Sequence, residues 1–169
     1  MTAPAPRFVF GVDTVAVART AELLAGYGDG LARRIATAGE AAWADESAAG
    51  SVVERYAALL AVKESAIKCL AGRPPGFRWQ NVEVDDVPPP GGAAPLPDGV
   101  ARALSAFAAG VRLADERDVA CRLTGAGLDR ARTVLGSGAG APIRGAARYG
   151  TVDGHVSAVA CFWEDAHDE

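Results

Sequence analysis

Two carboxylates stand where acidic side chains have reason to do chemistry. Asp13 ends Phe8-Val-Phe-Gly-Val12, an apolar, β-rich run interrupted only by Gly11, which reads as a buried strand. A polar residue at that point is held on a rigid element. Glu64 lies inside Leu60-Ala-Val-Lys-Glu-Ser-Ala-Ile-Lys-Cys69, among Ala, Val and Ile on what reads as a helix. A carboxylate there is costly to bury unless it is paired or bound to a cation. Two such oxygen ligands, completed by a substrate diphosphate, are a usual way to hold Mg²⁺, which keeps several waters and seldom has a full protein cage. The blander alternative is that Glu64 is solvated, or pairs with Lys68 at i,i+4 for ~0.3 kcal/mol. Arg19, Arg33 and Arg34 form a local basic cluster on a chain whose formal net charge is −4. Such a cluster suits steering of an acidic partner, and it is also what an ordinary solvated face looks like.

The elements that must position these residues follow from periodicity. Apolar residues at helical spacing run from Val15 to Ala25, stopped by Gly26 and Gly28, and two short helices are expected at Leu31–Ala36 and Glu40–Glu46. The strongest helix signal spans Ser51 to Ala71. Ser51 with Glu54 matches a capping box, and Val52, Tyr56, Leu59, Leu60, Lys63, Ile67 and Leu70 sample one broad face. Gly72 and Pro74-Pro75 end it. Phe77–Val84 alternates as a strand, Pro88–Pro97 is a proline-rich loop, and Asp98–Ala109 is a helix. Val111–Ala114 and Val119–Leu123 read as two short strands flanking the polar turn Asp115-Glu-Arg-Asp118. Leu128–Leu135 is helical and Gly136–Gly140 a loop. Asp153-Gly154 is a hairpin turn before a closing strand, His155–Trp163, in which both faces are apolar. The mixture is α+β, an antiparallel sheet packed on one long helix.

Bulk properties exclude several classes. At 169 residues, half of them hydrophobic, the chain fits one domain with its own core. No run of apolar residues is long enough to span a membrane. Met1 to Arg7 lacks the features of a secretory leader, so the expected location is cytoplasmic. The net negative charge argues against general nucleic-acid binding. Cys69, Cys121 and Cys161 have no zinc spacing and no disulfide framework, and read as free buried thiols.

The motifs together carry a resemblance. Gly11-Val-Asp-Thr-Val-Ala-Val-Ala-Arg19 resembles the opening of holo-acyl-carrier-protein synthases, in which Gly, Asp and Arg recur at this spacing. Leu60-Ala-Val-Lys-Glu-Ser-Ala-Ile-Lys68 resembles their Lys-Glu helix, and Trp79-Gln-Asn-Val-Glu-Val84 the strand after it. Gly28–Ile35 is similar to the segment after their first helix, and Val111–Cys121 to their last hairpin. The resemblance covers roughly residues 8 to 123. It implies a 4′-phosphopantetheinyl transferase-like fold, a homotrimer, and transfer of 4′-phosphopantetheine from coenzyme A to a serine of an acyl carrier protein. By the same resemblance Asp13 and Glu64 are the Mg²⁺ ligands. Lys68 contacts the transferred phosphate or assists deprotonation of the serine, and Lys63, Lys68 and Arg55 contact coenzyme A. Arg19, Arg33 and Arg34 meet the carrier protein.

The sequence also departs from that pattern. Five residues before the metal-binding Glu the family carries an Arg that holds a coenzyme A phosphate. Here that residue is Leu59, with Arg55 one turn earlier. The family's His at the start of the last hairpin is Gly110. His155-Val-Ser157 restores that motif only if the preceding segment is an insertion, which would make His155 catalytic. The single domain, 1–169, is thus expected to carry an extra C-terminal segment from about 124 to 169. Besides a working transferase, two readings stay open. One is the same fold repurposed as a cyclase- or isomerase-type tailoring enzyme of a polyketide or fatty-acid pathway. The other is a non-catalytic subunit that binds a carrier protein.

Overall fold

The structure is a computed structural model and describes residues 7–46, 50–85 and 96–165. Its frame is a five-stranded antiparallel sheet in the order β1-β5-β4-β3-β2, formed by β1 (Phe8–Ala16), β2 (Val82–Asp85), β3 (Ala114–Leu123), β4 (Ile143–Val152) and β5 (His155–Glu164). The apolar run at Phe8 and the β-like stretch at His155 pair along their whole length, from Phe8 opposite Trp163 to Ala16 opposite His155. In β5, Val156, Ala158, Ala160 and Phe162 join the core under the long helix, while Val159, Cys161 and Trp163 pack on the opposite side. Both faces of β5 are therefore buried, as its continuous apolar sequence requires.

The long helix α4 (Val52–Cys69) lies across the first of those faces. Ser51 caps it: the Glu54 N–H donates to Ser51 Oγ at 3.2 Å, and the Ser51 N–H donates to Glu54 Oε2 at 2.7 Å. Three short helices, α1 (Val17–Tyr27), α2 (Asp29–Ile35) and α3 (Ala38–Glu46), come before it in the chain. Leu31, Ile35 and Ala44 from these helices pack on Tyr56, Leu59 and Leu60 of α4, so α4 is covered from a second side. The other face of the sheet is covered by α5 (Asp98–Val111), through Val100 and Leu104. A last helix, α6 (Gly125–Leu135), adds Ala131 to the core under α4.

Several local expectations are corrected. Val111–Ala114 and Val119–Leu123 are not two strands around a turn. Val111 ends α5, and Ala114–Leu123 is one strand with a bulge between Ala114 and Arg117, where Asp115 adopts φ +51°. The bulge absorbs the charged run Asp115–Asp118 without breaking the ladder, and Arg148 of β4 holds Asp118 across the pair at 2.7 Å. The stretch compared with a closing hairpin is thus the end of a helix followed by an inner strand, and the chain's last hairpin is β4–β5 around Asp153-Gly154. Phe77–Val84 is strand only from Val82, because the Asn81 side chain takes the Arg78 N–H at 2.8 Å and closes a 3-10 turn at Trp79–Asn81. The proline-rich loop, apart from Leu96 and Pro97, lies outside the described residues. No helix of the described residues is long and apolar enough to cross a membrane.

Candidate functional site

From Arg55 to Leu70, every residue of the long helix is buried except Glu64 and Lys68. These two are four residues apart and therefore share one face. Beyond its first turn the helix thus has a single window to solvent, and two charged groups occupy it. β1 passes directly beside this window. Val9, Gly11, Asp13 and Val15 alternate toward α4, whereas Phe10 and Val12 point the other way and are 61% and 41% exposed. The approach is close because Gly11 lacks a side chain: a Cβ there would lie 2.3 Å from the Ser65 carbonyl oxygen and 2.9 Å from Lys68 Cβ.

Two residues further along β1, Asp13 meets the helix. Lys68 Nζ donates to Asp13 Oδ1 at 2.8 Å and to the Val12 carbonyl at 2.8 Å. Lys68 therefore does not pair with Glu64 at i,i+4. Glu64 is instead held by Arg73, whose Nη2 donates to Oε1 at 3.0 Å. The Arg73 guanidinium also lies over the Trp79 ring, 4.5 Å from its centroid. The side chains of Asp13 and Glu64 are 19% and 32% exposed. Among the described residues, no protein group bonds the second oxygen of either carboxylate, nor do three or more His, Cys, Asp or Glu side chains gather as a metal cage. Hard carboxylate oxygens, few in number and in partial contact with water, fit the coordination habit of Mg²⁺.

Other expected site residues fall elsewhere. Lys63, read as a coenzyme A contact, is corrected: it is wholly buried. Its Nζ donates to Glu40 Oε2 at 2.8 Å, to the Val82 carbonyl at 2.7 Å and to the Trp79 carbonyl at 3.3 Å. Burial pushes the Lys63 ammonium below the usual lysine range, and the Glu40 carboxylate partly offsets this. Glu40 itself accepts from the Thr37 and Val84 N–H groups. This network ties α3 and β2 to α4 and presents nothing to a ligand. Arg55 is 5% exposed, and its Nε and Nη1 donate to the carbonyls of Ala44 and Gly50.

His155 is exposed at the start of β5, with Nδ1 at 2.9 Å from the Asp153 carbonyl. Along β5 it is three residues from Ala158, the register partner of Asp13, or about 10 Å. It stands apart from the ion pairs of Asp13, Glu64 and Lys68. It lines an open cavity of about 430 Å³ with Arg55, Arg117, Tyr149 and Thr151. Arg19 is exposed and paired with Glu22 at 3.0 Å, and Arg33 and Arg34 are exposed on α2. The residues missed from sequence are Arg73, Trp79 and Glu40. Arg73 had a signal, as a cation in the tight turn Gly72-Arg-Pro-Pro-Gly76 directly after the helix carrying Glu64.

A family model described as the 4′-phosphopantetheinyl transferase superfamily matches residues 9–114. A holo-acyl-carrier-protein synthase of Solibacter usitatus (strain Ellin6076) is 41% identical over 75 residues, 44% of this chain and 58% of that protein. The chain thus spans somewhat over half the length of the curated relative it matches. Among solved structures, the holo-acyl-carrier-protein synthase of Neisseria meningitidis superposes with a TM-score of 0.57 at 18% identity, covering 94% of this chain and 98% of that one. The Helicobacter pylori enzyme in complex with coenzyme A gives 0.58 at 14% identity, over 89% of this chain and 96% of that one. The apo enzyme of Chronobacterium ammoniagenes gives 0.60 at 20% identity, over 95% and 99%. Identities this low speak for the fold, and the family match speaks for descent. The chain belongs to the 4′-phosphopantetheinyl transferase superfamily.

Proposed function

We propose that this chain is a Mg²⁺-dependent transferase that moves 4′-phosphopantetheine from coenzyme A to a serine of an acyl carrier protein. The observation that carries the reading is the window in α4 between Arg55 and Leu70, where Glu64 and Lys68 emerge on one face and Lys68 meets Asp13 of β1. Asp13 and Glu64 would hold the ion, which when bound neutralises charge on the diphosphate. Lys68, anchored on the Val12 carbonyl and Asp13, places an ammonium at the rim of the same window. There it would bind a phosphate oxygen of the group in transfer. The serine hydroxyl attacks the phosphorus that bears pantetheine, the new P–O bond forms as the diphosphate bridge of coenzyme A breaks, adenosine 3′,5′-bisphosphate leaves, and the serine proton goes to solvent or a nearby base. Positioning and fixed charge supply most of the rate in such a displacement.

The exposed Arg19, Arg33 and Arg34 would receive the acidic face of the carrier protein, and a cytoplasmic place of action goes with these substrates. In this reading the segment from about residue 124 belongs to the one domain, because it supplies β4 and β5, and the working form is a homotrimer.

Mass spectrometry of an apo carrier protein incubated with this chain, coenzyme A and Mg²⁺ tests the proposal. Transfer is expected with the wild type. Glu64→Gln, which keeps size and removes charge, is expected to reduce it at least ~100-fold with an unchanged circular-dichroism melt, and Lys68→Ala by a comparable factor. One observation favours a second reading, the fold turned to another reaction. Leu59, at the family's phosphate-binding Arg position, is 2% exposed and packed in the core, so it leaves no cation there. On that reading coenzyme A with Mg²⁺ leaves the melting temperature unmoved even at millimolar concentration, whereas a substrate must raise it by mass action.

A further inference from the structure

The window in α4 carries a cation that the proposed reaction does not use. After Cys69 the chain turns back through Ala71 at φ +55° and Gly72 at φ +107°, with the Gly72 N–H donating to the Ile67 carbonyl at 3.1 Å. This reversal is followed by Pro74-Pro75, which stiffens the turn. It brings Arg73 back along the helix to Glu64, nine residues earlier in the chain, at 3.0 Å. The guanidinium is steadied from another side by the face of Trp79. Arg73 nevertheless remains 47% exposed, so its head group can leave Glu64 without any change in the core.

We infer that Arg73 is a resident counter-cation at Glu64 that competes with a divalent ion for the carboxylate. The inference rests on the reading of Asp13 and Glu64 as the ion's ligands. With Lys68 on Asp13 and Arg73 on Glu64, two carboxylates face two cations, and the window is neutral before any ion arrives. A bare divalent ion must displace a bonded guanidinium to reach Glu64 and gains little net attraction. An ion that arrives with a diphosphate brings negative charge along, which the released guanidinium and ammonium can accept. The pairing therefore disfavours the ion alone and favours joint loading of ion and anionic substrate. An exposed ion pair of this kind contributes modestly, so the effect is a tuning of affinity.

The test titrates Mn²⁺ alone, without nucleotide, into the full-length wild type, Arg73→Gln, Arg73→Ser and Glu64→Gln, with free Mn²⁺ followed by electron paramagnetic resonance. Arg73 sits in a half-exposed turn, and circular-dichroism melts identify which of its two variants keeps the native fold. Both Arg73 variants are expected to bind Mn²⁺ roughly two- to fivefold more tightly than the wild type. That gain should vanish in the double variant with Glu64→Gln. If the Arg73 variants bind no more tightly while Glu64→Gln loses binding, the ion site stands and the inference is overturned. If Glu64→Gln binds Mn²⁺ as the wild type does, Glu64 is not a ligand, and the inference falls together with the reading beneath it.

Discussion

Gly11 shows how much of the site depends on an absent side chain. The 2.3 Å contact that a Cβ would make is with a backbone oxygen of α4, which cannot rotate aside. Gly11→Ala is therefore expected to lift β1 from the helix and cost about 1–3 kcal/mol, the usual range for overpacking, read as a lower urea midpoint. Asp13 is two residues away, so the same change should part it from Lys68 and lower transfer more than the loss of folded protein explains. Wild-type activity in a folded Gly11→Ala protein would show that β1 can slide without disturbing the site. In the sequence, Gly11 interrupts an otherwise regular β run, which hints at close backbone approach without saying to what. Asp13 and Glu64 were legible because carboxylates in apolar surroundings need a reason. Their partners were not: helical spacing offers Lys68 to Glu64, but the tertiary approach of β1 gives Lys68 to Asp13 and leaves Glu64 to Arg73.

Among the elements, α4 was the easiest to read, and Lys63 and Arg55 were its misleading residues, since both are buried. The position of Lys63 on the broad apolar face was visible, but the resemblance gave it a coenzyme A contact rather than a buried partner. The partner, Glu40, sits on α3, 23 positions earlier in the chain, with no motif to link the two. Glu40→Gln would leave the Lys63 ammonium buried among two carbonyls and an amide, without its counter-charge. Removing one partner of a buried pair typically costs about 3–5 kcal/mol, so a marked fall in the urea midpoint is expected. An unchanged midpoint would mean that Lys63 deprotonates at little cost or that water reaches it. The strands divide in the same way. β5 was found because it is buried on both faces and consistently apolar. β4 was not, because its pattern is dominated by Gly, Ala and Arg. Its small residues are forced by neighbours rather than by propensity: a Cβ at Gly145 would meet the Phe162 ring at 2.3 Å, and one at Gly150 the Ala114 carbonyl at 2.6 Å. A pattern set by the shapes of other strands is invisible to a reading of local period.

At the scale of the whole molecule, the sheet order makes the C-terminal segment structural, since β5 lies between β1 and β4 and β4 joins it to β3. A chain ending at Gly140 loses β4 and β5, two of the three inner strands, and leaves β1 with no partner, so it is expected to be insoluble or to show no cooperative melt. A soluble, cooperatively melting truncation would contradict the described sheet. The three thiols report on the integrity of the same core. Cys69, Cys121 and Cys161 are buried, and burial raises all three pKa values above the ordinary 9.0, to about 12 for Cys121 and about 11 for Cys161. An acid whose folded pKa is raised stays protonated in the native state while the unfolded chain ionises. Its contribution to stability is therefore full below pH 9 and is lost as pH rises toward the folded values. Lys63 works in the opposite sense, because its depressed pKa makes stability rise with pH up to about 10.5. The decisive measurement is therefore a difference in slope. Between pH 9 and pH 11, the urea midpoint of the wild type should fall more steeply than that of Cys121→Ala/Cys161→Ala. The cavities left by the substitutions lower the variant's stability at every pH and do not enter the slope. Equal slopes would mean that the two thiols titrate alike in folded and unfolded chains, and that water reaches the sheet between α4 and α5.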